Sequence, residues 1–213
     1  LRRAVEELSW LLGRGYALQA ATTLVGDHHQ LHRRQQRAIQ RCACAPQAAA
    51  ARRRARVAPD GQRLAIDGFN LVITVEAALS GGILLRGRDD RVRDLASVHG
   101  NYRRVAETQR AIDLLLEASA TAAEALWVLD RPVSNSGRLA AMLRDRGAAV
   151  ELSSTADGRL VELCTEGAAL ASSDGPLMDR VLRAAPPGRP ARLVDLLARP
   201  LADMGTPILD LAG

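Results

Sequence analysis

Apolar residues recur at helical spacing in the first part of the chain. The apolar positions of the first run are Val5, Leu8, Leu11 and Leu12. Glycines directly after this run end it, and the spacing predicts two further helices, over residues 16–25 and 33–42. We therefore expect residues 1–45 to form a small all-helical module. It resembles a helix-turn-helix in outline, but such modules more often simply pack against a neighbouring domain.

Residues 46–62 contain mostly alanine and arginine, with prolines near both ends. Such a composition offers few side chains for burial and is typical of a linker or a loosely helical tether. Its arginines are Arg52, Arg53, Arg54 and Arg56. These cations could bind a phosphate backbone, but a solvated run of charge explains them equally well.

From residue 63 onward, short apolar runs alternate with helical repeats. Strands are predicted at residues 63–67, 125–130, 148–152, 167–174 and 191–196. Helices are predicted at residues 70–79, 101–119 and 134–147, with an irregular loop or hairpin at 83–95. This alternation predicts an α/β domain over residues 63–200, with a mainly parallel sheet and helices on its faces. Residues 201–213 remain as a C-terminal tail.

The composition adds an argument from charge. A hydrophobic fraction of 47% is ordinary for a globular domain, but with 2% aromatic residues the core must consist of Leu, Val, Ile and Ala. No lysine occurs, so all 29 basic residues are arginine. The net charge of +5 and a pI near 10 favour a polyanionic partner such as nucleic acid. Nothing in the composition indicates an oligomeric state.

Cysteine usage and hydropathy bear on the cellular location of the protein. Three cysteines suggest no disulfide framework, no apolar run is as long as a membrane span, and no signal peptide is recognisable. We expect a cytoplasmic protein without a membrane partner. Three histidines, His28, His29 and His32, precede the pair Cys42 and Cys44. Structural zinc sites usually carry Cys-x-x-Cys pairs, so zinc binding here is the less favoured interpretation.

Three of the predicted strands end in an aspartate: Asp67 after "LAI", Asp130 after "LWVL" and Asp174 after "LASS". The carboxyl ends of parallel strands share one edge of the sheet, where ligands bind in open α/β folds. Carboxylates gathered there repel one another unless a cation lies between them, and Mg²⁺ or Mn²⁺ prefers such oxygen ligands. The alternative is that each aspartate only caps the helix that follows it.

Residues around Asp67 fit the same hypothesis. Gly68 leaves room for a close approach of the backbone, and Asn70 could orient Asp67 or a metal-bound water. Other chemistries lack their motifs. No GxGxxG follows a strand, a phosphate-binding GxxxxGK[ST] needs a lysine, and no GxSxG occurs. A dehalogenase-type phosphatase needs a second aspartate at position 69, which is Phe69.

Two further segments offer groups that could bind phosphate. Ser134, Asn135 and Ser136 open a predicted helix directly after Asp130, with Ser134 as its natural N-cap. The second segment contains His99, Arg103 and Arg104. His99 could move a proton and the arginines could clamp a phosphate, although a loop held by its own hydrogen bonds also explains them.

The pattern Asp67-Gly-x-Asn70 after a strand, followed by "SSDGPLMD" at residues 172–179, resembles the PIN-like nuclease superfamily, and its NYN branch most of all. The resemblance implies a Rossmann-like three-layer sandwich and a metal-dependent ribonuclease. It also implies that Asp67, Asp130 and Asp174 hold the metal with Asn70 beside them. Asp179 is then a fourth acid.

The same resemblance suggests a role for two more positions. Such domains often use an acid on a helix before the second strand, and Glu107 could serve. Gly175 stands where the resemblance implies a small hydroxyl residue, so Asp174 lacks the support that such a residue would give at this position.

Over nearly its whole length, the chain also resembles a prokaryotic family catalogued as domain of unknown function 434. Its motifs appear here as Arg14-Gly15-Tyr16, residues 24–27, 67–70, 79–82, 99–103 and 131–137. The function we expect is hydrolysis of RNA, in preference to DNA, with Mg²⁺ or Mn²⁺ as cofactor. Two alternatives stay open: a binding module with an incomplete metal site, and a hydrolase of small nucleotides or phosphate esters.

Overall fold

A computed structural model of the chain describes residues 1–95 and 105–212. The helices are α1 (Arg2–Gly13), α2 (Leu18–His28), α3 (Arg33–Cys42), α4 (Pro46–Arg54), α5 (Gly68–Leu79), α6 (Val105–Ser119), α7 (Ser136–Arg144), α8 (Ala156–Thr165), α9 (Gly175–Ala184) and α10 (Ala198–Asp203). The strands are β1 (Arg56–Val57), β2 (Arg63–Asp67), β3 (Leu84–Arg86), β4 (Val92–Asp94), β5 (Glu124–Asp130), β6 (Ala149–Ser153), β7 (Ala169–Ala171), β8 (Leu193–Val194) and β9 (Ile208–Asp210).

A six-stranded sheet with the order β1-β8-β7-β2-β5-β6 forms the centre of the α/β domain, and all its strands are parallel. Successive residues of β2 face opposite sides. Ile66 packs with α5, α6 and α7, whereas Ala65 packs with α8 and α9. Helices therefore cover both faces, which confirms the predicted Rossmann-like three-layer α/β architecture. None of the helices in the described residues is long and apolar enough to cross a membrane.

The N-terminal helices form the predicted all-helical module. Val5 and Leu8 of α1 are fully buried with Ile39 of α3, and the same cluster includes Leu85 and Leu211. Because Leu85 lies on β3 and Leu211 follows β9, the module shares its core with the second part of the chain.

A small second sheet with the order β4-β3-β9 joins this module to the α/β domain. Strands β3 and β4 pair antiparallel around residues 87–91, which is the hairpin alternative predicted for residues 83–95. Strand β9 pairs parallel with β3, with Leu85 opposite Leu209. Residues 201–213 are thus not simply a tail, because they contain a paired strand and the buried Leu211.

Residues 46–62, which we expected to be a linker or a loosely helical tether, are partly helical but also pack against the α/β domain. Residues 46–54 form α4, with Pro46 in its first turn, and Arg56 and Val57 pair with β8 as an edge strand. Ala49 and Arg52 are buried. Small alanines let α4 approach the domain closely, and acidic partners neutralise Arg52, so a segment without large apolar side chains still packs.

Candidate metal centre at the carboxyl edge of the sheet

Asp67 is the last residue of the central strand β2 and the N-cap of α5. Its Oδ1 accepts a hydrogen bond from the Asn70 backbone N–H at 3.4 Å, and its Oδ2 accepts one from Ser172 Oγ at 2.8 Å. The capping alternative is thus real for Asp67. The carboxylate also contacts the residue that follows β7, so it lies at the edge where ligands of such sheets bind.

Asn70 connects α5 to the segment after β7. Its side-chain Oδ1 accepts hydrogen bonds from the Ser173 backbone N–H at 2.8 Å, from Ser173 Oγ at 2.9 Å and from Ser172 Oγ at 3.3 Å. The Asn70 side chain therefore fixes the two serines, while its backbone contacts Asp67. It supports Asp67 indirectly, since Ser172 Oγ lies near both oxygens and its single proton points mainly to the nearer one, Asp67 Oδ2.

Asp174 is the N-cap of α9, where its Oδ2 accepts a hydrogen bond from the Leu177 N–H at 2.9 Å. Its own N–H donates to Ser172 Oγ at 3.0 Å. Ser172 therefore contacts both Asp67 and Asp174. The hydroxyl that we expected at position 175 lies upstream, in Ser172 and Ser173. Gly175 packs on a guanidinium instead, because an added Cβ would lie 3.0 Å from two nitrogens of Arg52.

The register of the sheet places Asp130 on the strand beside Asp67. Asp67 pairs with Val128 of β5, so Asp130 lies two residues further along its strand. Two residues correspond to about 6.6 Å along a strand. Their Cβ atoms point to the same face of the sheet, since side chains alternate with a period of two. Asp130 is also partly exposed, in keeping with a position at the edge.

Asp157, in the first turn of α8, joins the three predicted aspartates and was not identified from the sequence. It is exposed and forms an ion pair with Arg180 at 2.9 Å. The strand before it, β6, ends in Ser153 and not in an acid, so a search for strand-terminal acids misses it. A carboxylate in the first turn of the next helix was the available signal.

The charges of these aspartates act on one another. Burial, together with the charges of Asp174 and Asp157, raises the pKa of Asp67 to about 7, against the lowering effect of hydrogen bonds from Ser172 and Asn70. Burial and the charge of Asp174 also raise the pKa of Asp157, with a smaller contribution from Asp130 and an opposing one from Arg180. Each of the four residues therefore interacts electrostatically with at least one other.

A divalent cation would relieve this repulsion, but the geometry restricts how it could bind. Within the described residues, no three of these carboxylates offer oxygens that all lie within 4.8 Å of one another. Mg²⁺ often binds through only one or two carboxylates and keeps several waters. The donor set consists of hard oxygens and fits Mg²⁺ or Mn²⁺ in that manner, without a closed cage of three aspartates.

Asp179, proposed as a fourth acid, takes part in a different contact. Its Oδ1 and Oδ2 accept hydrogen bonds from Arg52 Nε at 2.9 Å and Arg52 Nη2 at 2.7 Å. This bidentate pair occupies the carboxylate, so the structure places Asp179 in a contact with α4 and not among the aspartates of the edge. Glu107 lies in the first turn of α6, the helix that leads into β5.

The three predicted phosphate-binding residues after Asp130 differ from one another in their exposure to solvent. Ser134 and Asn135 are exposed, whereas Ser136 is buried and its Oγ donates to the Arg131 carbonyl at 3.0 Å. The N-cap of α7 is Asn135, in the left-handed conformation with φ 65°, and not Ser134 as predicted. Its side chain makes no capping bond. The three other predicted phosphate ligands, His99, Arg103 and Arg104, lie outside the described residues.

The fold and this edge define a Rossmann-like α/β protein with aspartates at the carboxyl edge of its sheet and a helical module in front of it. The chain belongs to the family described as domain of unknown function (DUF5616), whose model matches residues 58–188. Residues 1–55 match the family described as protein of unknown function (DUF434). The resemblance that we saw along nearly the whole chain thus divides between two family models, near the start of β1.

One relative and the solved structures complete the comparison. The chain is 31% identical over 150 residues to the uncharacterized protein MJ0935 of Methanocaldococcus jannaschii, an alignment that covers 68% of this chain and 72% of that protein. No solved structure matches the chain. Neither family match names a PIN-like or NYN-like nuclease.

Proposed function

We propose that this protein is a divalent-metal-dependent ribonuclease of the PIN-like type. The observation that supports the proposal is the connection of the Asp67 carboxylate, at the end of β2, to the backbone of Asp174 through one hydroxyl. Ser172 Oγ lies 2.8 Å from Asp67 Oδ2 and 3.0 Å from the backbone nitrogen of Asp174. Asp130 and Asp157 lie close enough to influence this pair or each other electrostatically. Ligands of open α/β sheets bind at this edge.

Some residues of the edge would bind the metal, and others would position the residues that bind it. Asp67 and Asp174 would hold the metal, and Asp130 on the neighbouring strand would complete its coordination directly or through water. Ser172 and Asn70 would hold the Asp67 carboxylate, and Ser172 would also hold the backbone of Asp174. When bound, Mg²⁺ or Mn²⁺ would activate a water molecule and neutralise charge on the scissile phosphate. Such hydrolysis needs no covalent nucleophile from the protein.

Nucleic acid is the substrate class that the overall charge favours. The chain carries a net charge of +5 and a pI near 10, which attract a polyanion. The exposed Ser134 and Asn135 lie in the loop between Asp130 and α7 and would face a phosphate bound at the edge. The preference for RNA over DNA rests on the resemblance to PIN-like domains.

A second candidate function is nucleic-acid binding without catalysis. It is favoured by two observations: Asp67 and Asp174 both cap helices, and no three carboxylates of the edge converge within 4.8 Å in the described residues. A hydrolase of small esters would need a deep pocket at the acidic edge. The cavity of about 570 Å³ is lined by Arg63, Glu124 and Ala149 at the starts of three strands, so it lies at the opposite edge of the sheet.

Cleavage of labelled RNA and single-stranded DNA, with Mn²⁺, Mg²⁺ or EDTA, tests the proposal. We expect the wild-type protein to cleave RNA only with the metal, and Asp67→Asn and Asp174→Asn to lose at least about a hundredfold in rate, since carboxylate ligands of the metal are removed. The matched control is Asp113→Asn, because Asp113 is a half-exposed aspartate on α6 paired with Arg146.

The outcomes separate the two candidate functions. Metal-dependent cleavage that survives in Asp113→Asn and is lost in both edge variants supports the ribonuclease. RNA binding without cleavage under any metal condition rejects catalysis and leaves the binding module. Equal cleavage by the wild type and both edge variants would contradict the assignment of these aspartates.

A further inference from the structure

A group of nitrogen and oxygen ligands lies on the helical module, away from the α/β domain. Glu7 of α1, His28 at the end of α2 and His29, the C-cap of that helix, offer ligand atoms that all lie within 4.8 Å of one another. His29 Nε2 lies 2.7 Å from Glu7 Oε2. The rings of His28 and His29 meet edge to face, with centroids 4.8 Å apart. We propose that these three residues bind a divalent transition-metal ion of the Zn²⁺ class.

The donor atoms select this class of metal. Two imidazoles and one carboxylate suit Zn²⁺, Co²⁺ or Ni²⁺, whereas Mg²⁺ prefers oxygen ligands alone. Metal–ligand bonds of about 2.0–2.2 Å in a tetrahedron place the ligand atoms about 3.4 Å apart. The three ligand atoms must therefore move closer together when the metal binds. The side chain of His28 can rotate toward the other two, because it is exposed and not packed in the core. With three protein ligands, one coordination position remains for water or a partner group.

The end of α2 favours a cation at this position. The last turn of a helix carries the negative end of its dipole and carbonyl groups without intrahelical partners, and α2 is an 11-residue helix that ends at His28. The backbone leaves the regular helix at this point, since His29 is the C-cap with φ −91° and ψ 5°. The rings of the two consecutive histidines contact each other there. Glu6 lines the groove beside these three residues and adds negative charge, whereas Arg3, which lines the same groove, adds a positive charge.

The ligand set differs from the zinc hypothesis based on the sequence, which joined the histidines to Cys42 and Cys44. Both cysteines are buried. Burial raises the pKa of Cys42 to about 12 and that of Cys44 to about 11, which disfavours the thiolate form that binds metal. Glu7, distant in sequence, takes the place of the thiolates.

The groove beside the ligands provides an optical readout. It has a volume of about 630 Å³, and its lining includes Glu7, His28 and Trp10. The side chain of Trp10 is exposed, whereas the second tryptophan, Trp127, is fully buried in the α/β core. A paramagnetic ion such as Co²⁺ at the proposed site should therefore quench mainly Trp10.

Titration of the tag-free full chain with Co²⁺ and with Zn²⁺ tests the proposal, by visible absorption, tryptophan fluorescence and calorimetry. We expect one equivalent to bind with Co²⁺ absorption bands of tetrahedral type and with quenching of Trp10. Glu7→Gln, His28→Ala and His29→Ala should each weaken binding by on the order of tenfold or more, since even outer partners of ligands contribute that much. Folding of each variant is checked by circular dichroism.

Two control variants locate the ion. His32→Ala removes a histidine outside the ligand set, and Asp113→Asn alters an exposed aspartate of α6 that belongs to neither proposed metal site; both should bind Co²⁺ as the wild type does. Unchanged affinity in folded His29→Ala, or loss of binding in Asp113→Asn or His32→Ala, would place the ion elsewhere and overturn the proposal. Absence of wild-type binding at micromolar Co²⁺ and Zn²⁺ would overturn it as well.

Discussion

Arg52 of α4 and Asp179 of α9 form a bidentate ion pair, with hydrogen bonds of 2.9 and 2.7 Å. The same guanidinium reaches Asp89 at 2.7 Å, and Arg93 donates to both oxygens of Asp89. Arg93 Nε also donates to the Ser173 carbonyl at 2.7 Å. This network connects α4, at the end of the first family match, to the acidic edge, because Ser173 contacts Asn70.

Replacement of Arg52 by methionine should strongly destabilise the protein. The Arg52 and Asp89 side chains are almost fully buried, so the variant leaves Asp179 and Asp89 without one partner. Loss of one member of a buried pair costs about 3–5 kcal/mol in the free energy of unfolding. The control is Arg53→Ala, since Arg53 is exposed and should change stability by less than about 0.5 kcal/mol. Urea unfolding measures both, and equal effects would contradict the buried network.

Acid should weaken this network in a defined pH range. Although burial raises the pKa of Asp89, the charges and hydrogen bonds of Arg93 and Arg52 hold it well below its usual range. Ionised Asp89 therefore contributes stability that is fully present above about pH 4, its ordinary pKa, and is lost as the pH falls below that value. Urea midpoints between pH 7 and pH 2 should fall less steeply for Asp89→Asn than for the wild type. Parallel slopes would show that Asp89 does not contribute.

The stability of Asp67→Asn separates a metal site from a helix cap without an activity assay. The raised pKa of Asp67, about 7, means that ionisation costs stability as the pH rises from its ordinary value of 3.8 to that point. Without metal at pH 8, Asp67→Asn should therefore melt at a higher temperature than the wild type. Asparagine caps helices about as well as aspartate.

Addition of Mn²⁺ should reverse that order. Metal bound only by the folded state raises the melting temperature of the wild type, and should raise that of Asp67→Asn much less. Differential scanning calorimetry at pH 8 measures all four conditions. A pure capping role predicts the same response to Mn²⁺ in both proteins.

Asp157→Asn tests the aspartate that the strand pattern did not reveal. Because Asp157 is exposed and paired with Arg180, its replacement should weaken Mn²⁺ binding less than Asp67→Asn does. The expected loss is about tenfold or smaller, as for outer partners of metal ligands. Calorimetric titration of Mn²⁺ into both variants measures the ranking, and a larger loss in Asp157→Asn would make Asp157 the principal ligand.

Residues 46–62 should resist trypsin even though they contain four arginines in 52–56. Helix α4 packs through the buried Ala49 and Arg52, and β1 is hydrogen-bonded to β8. Cleavage needs local unfolding of both elements, so early fragments identified by mass spectrometry should not end within this segment. Arg52→Met should increase cleavage there. Early cuts in the folded wild type would support the linker that the composition suggested.

Local sequence patterns predicted the helices and strands in which apolar residues recur with a regular period. Strand β2 has the predicted bounds, residues 63–67, and α3 has the predicted residues 33–42. Asp67 and Asp130 end β2 and β5 as predicted, whereas the predicted strand 167–174 is limited to Ala169–Ala171 and Asp174 caps α9 three residues further on. The two short edge strands β1 and β9 were missed, since two or three residues give no periodicity.

The sequence by itself determined the three-layer α/β class, the acidic edge and the helical module, since these follow from apolar periodicity and from acids at strand ends. Only the tertiary structure decided the partners of individual polar residues. It brought Arg52 to Asp179 across 127 residues of chain, Ser172 to Asp67, and Glu7 to His29. Such pairs join residues far apart in the chain, so no local pattern encodes them. Their geometry comes from how helices and strands pack, and burial then makes each charge depend on its partner.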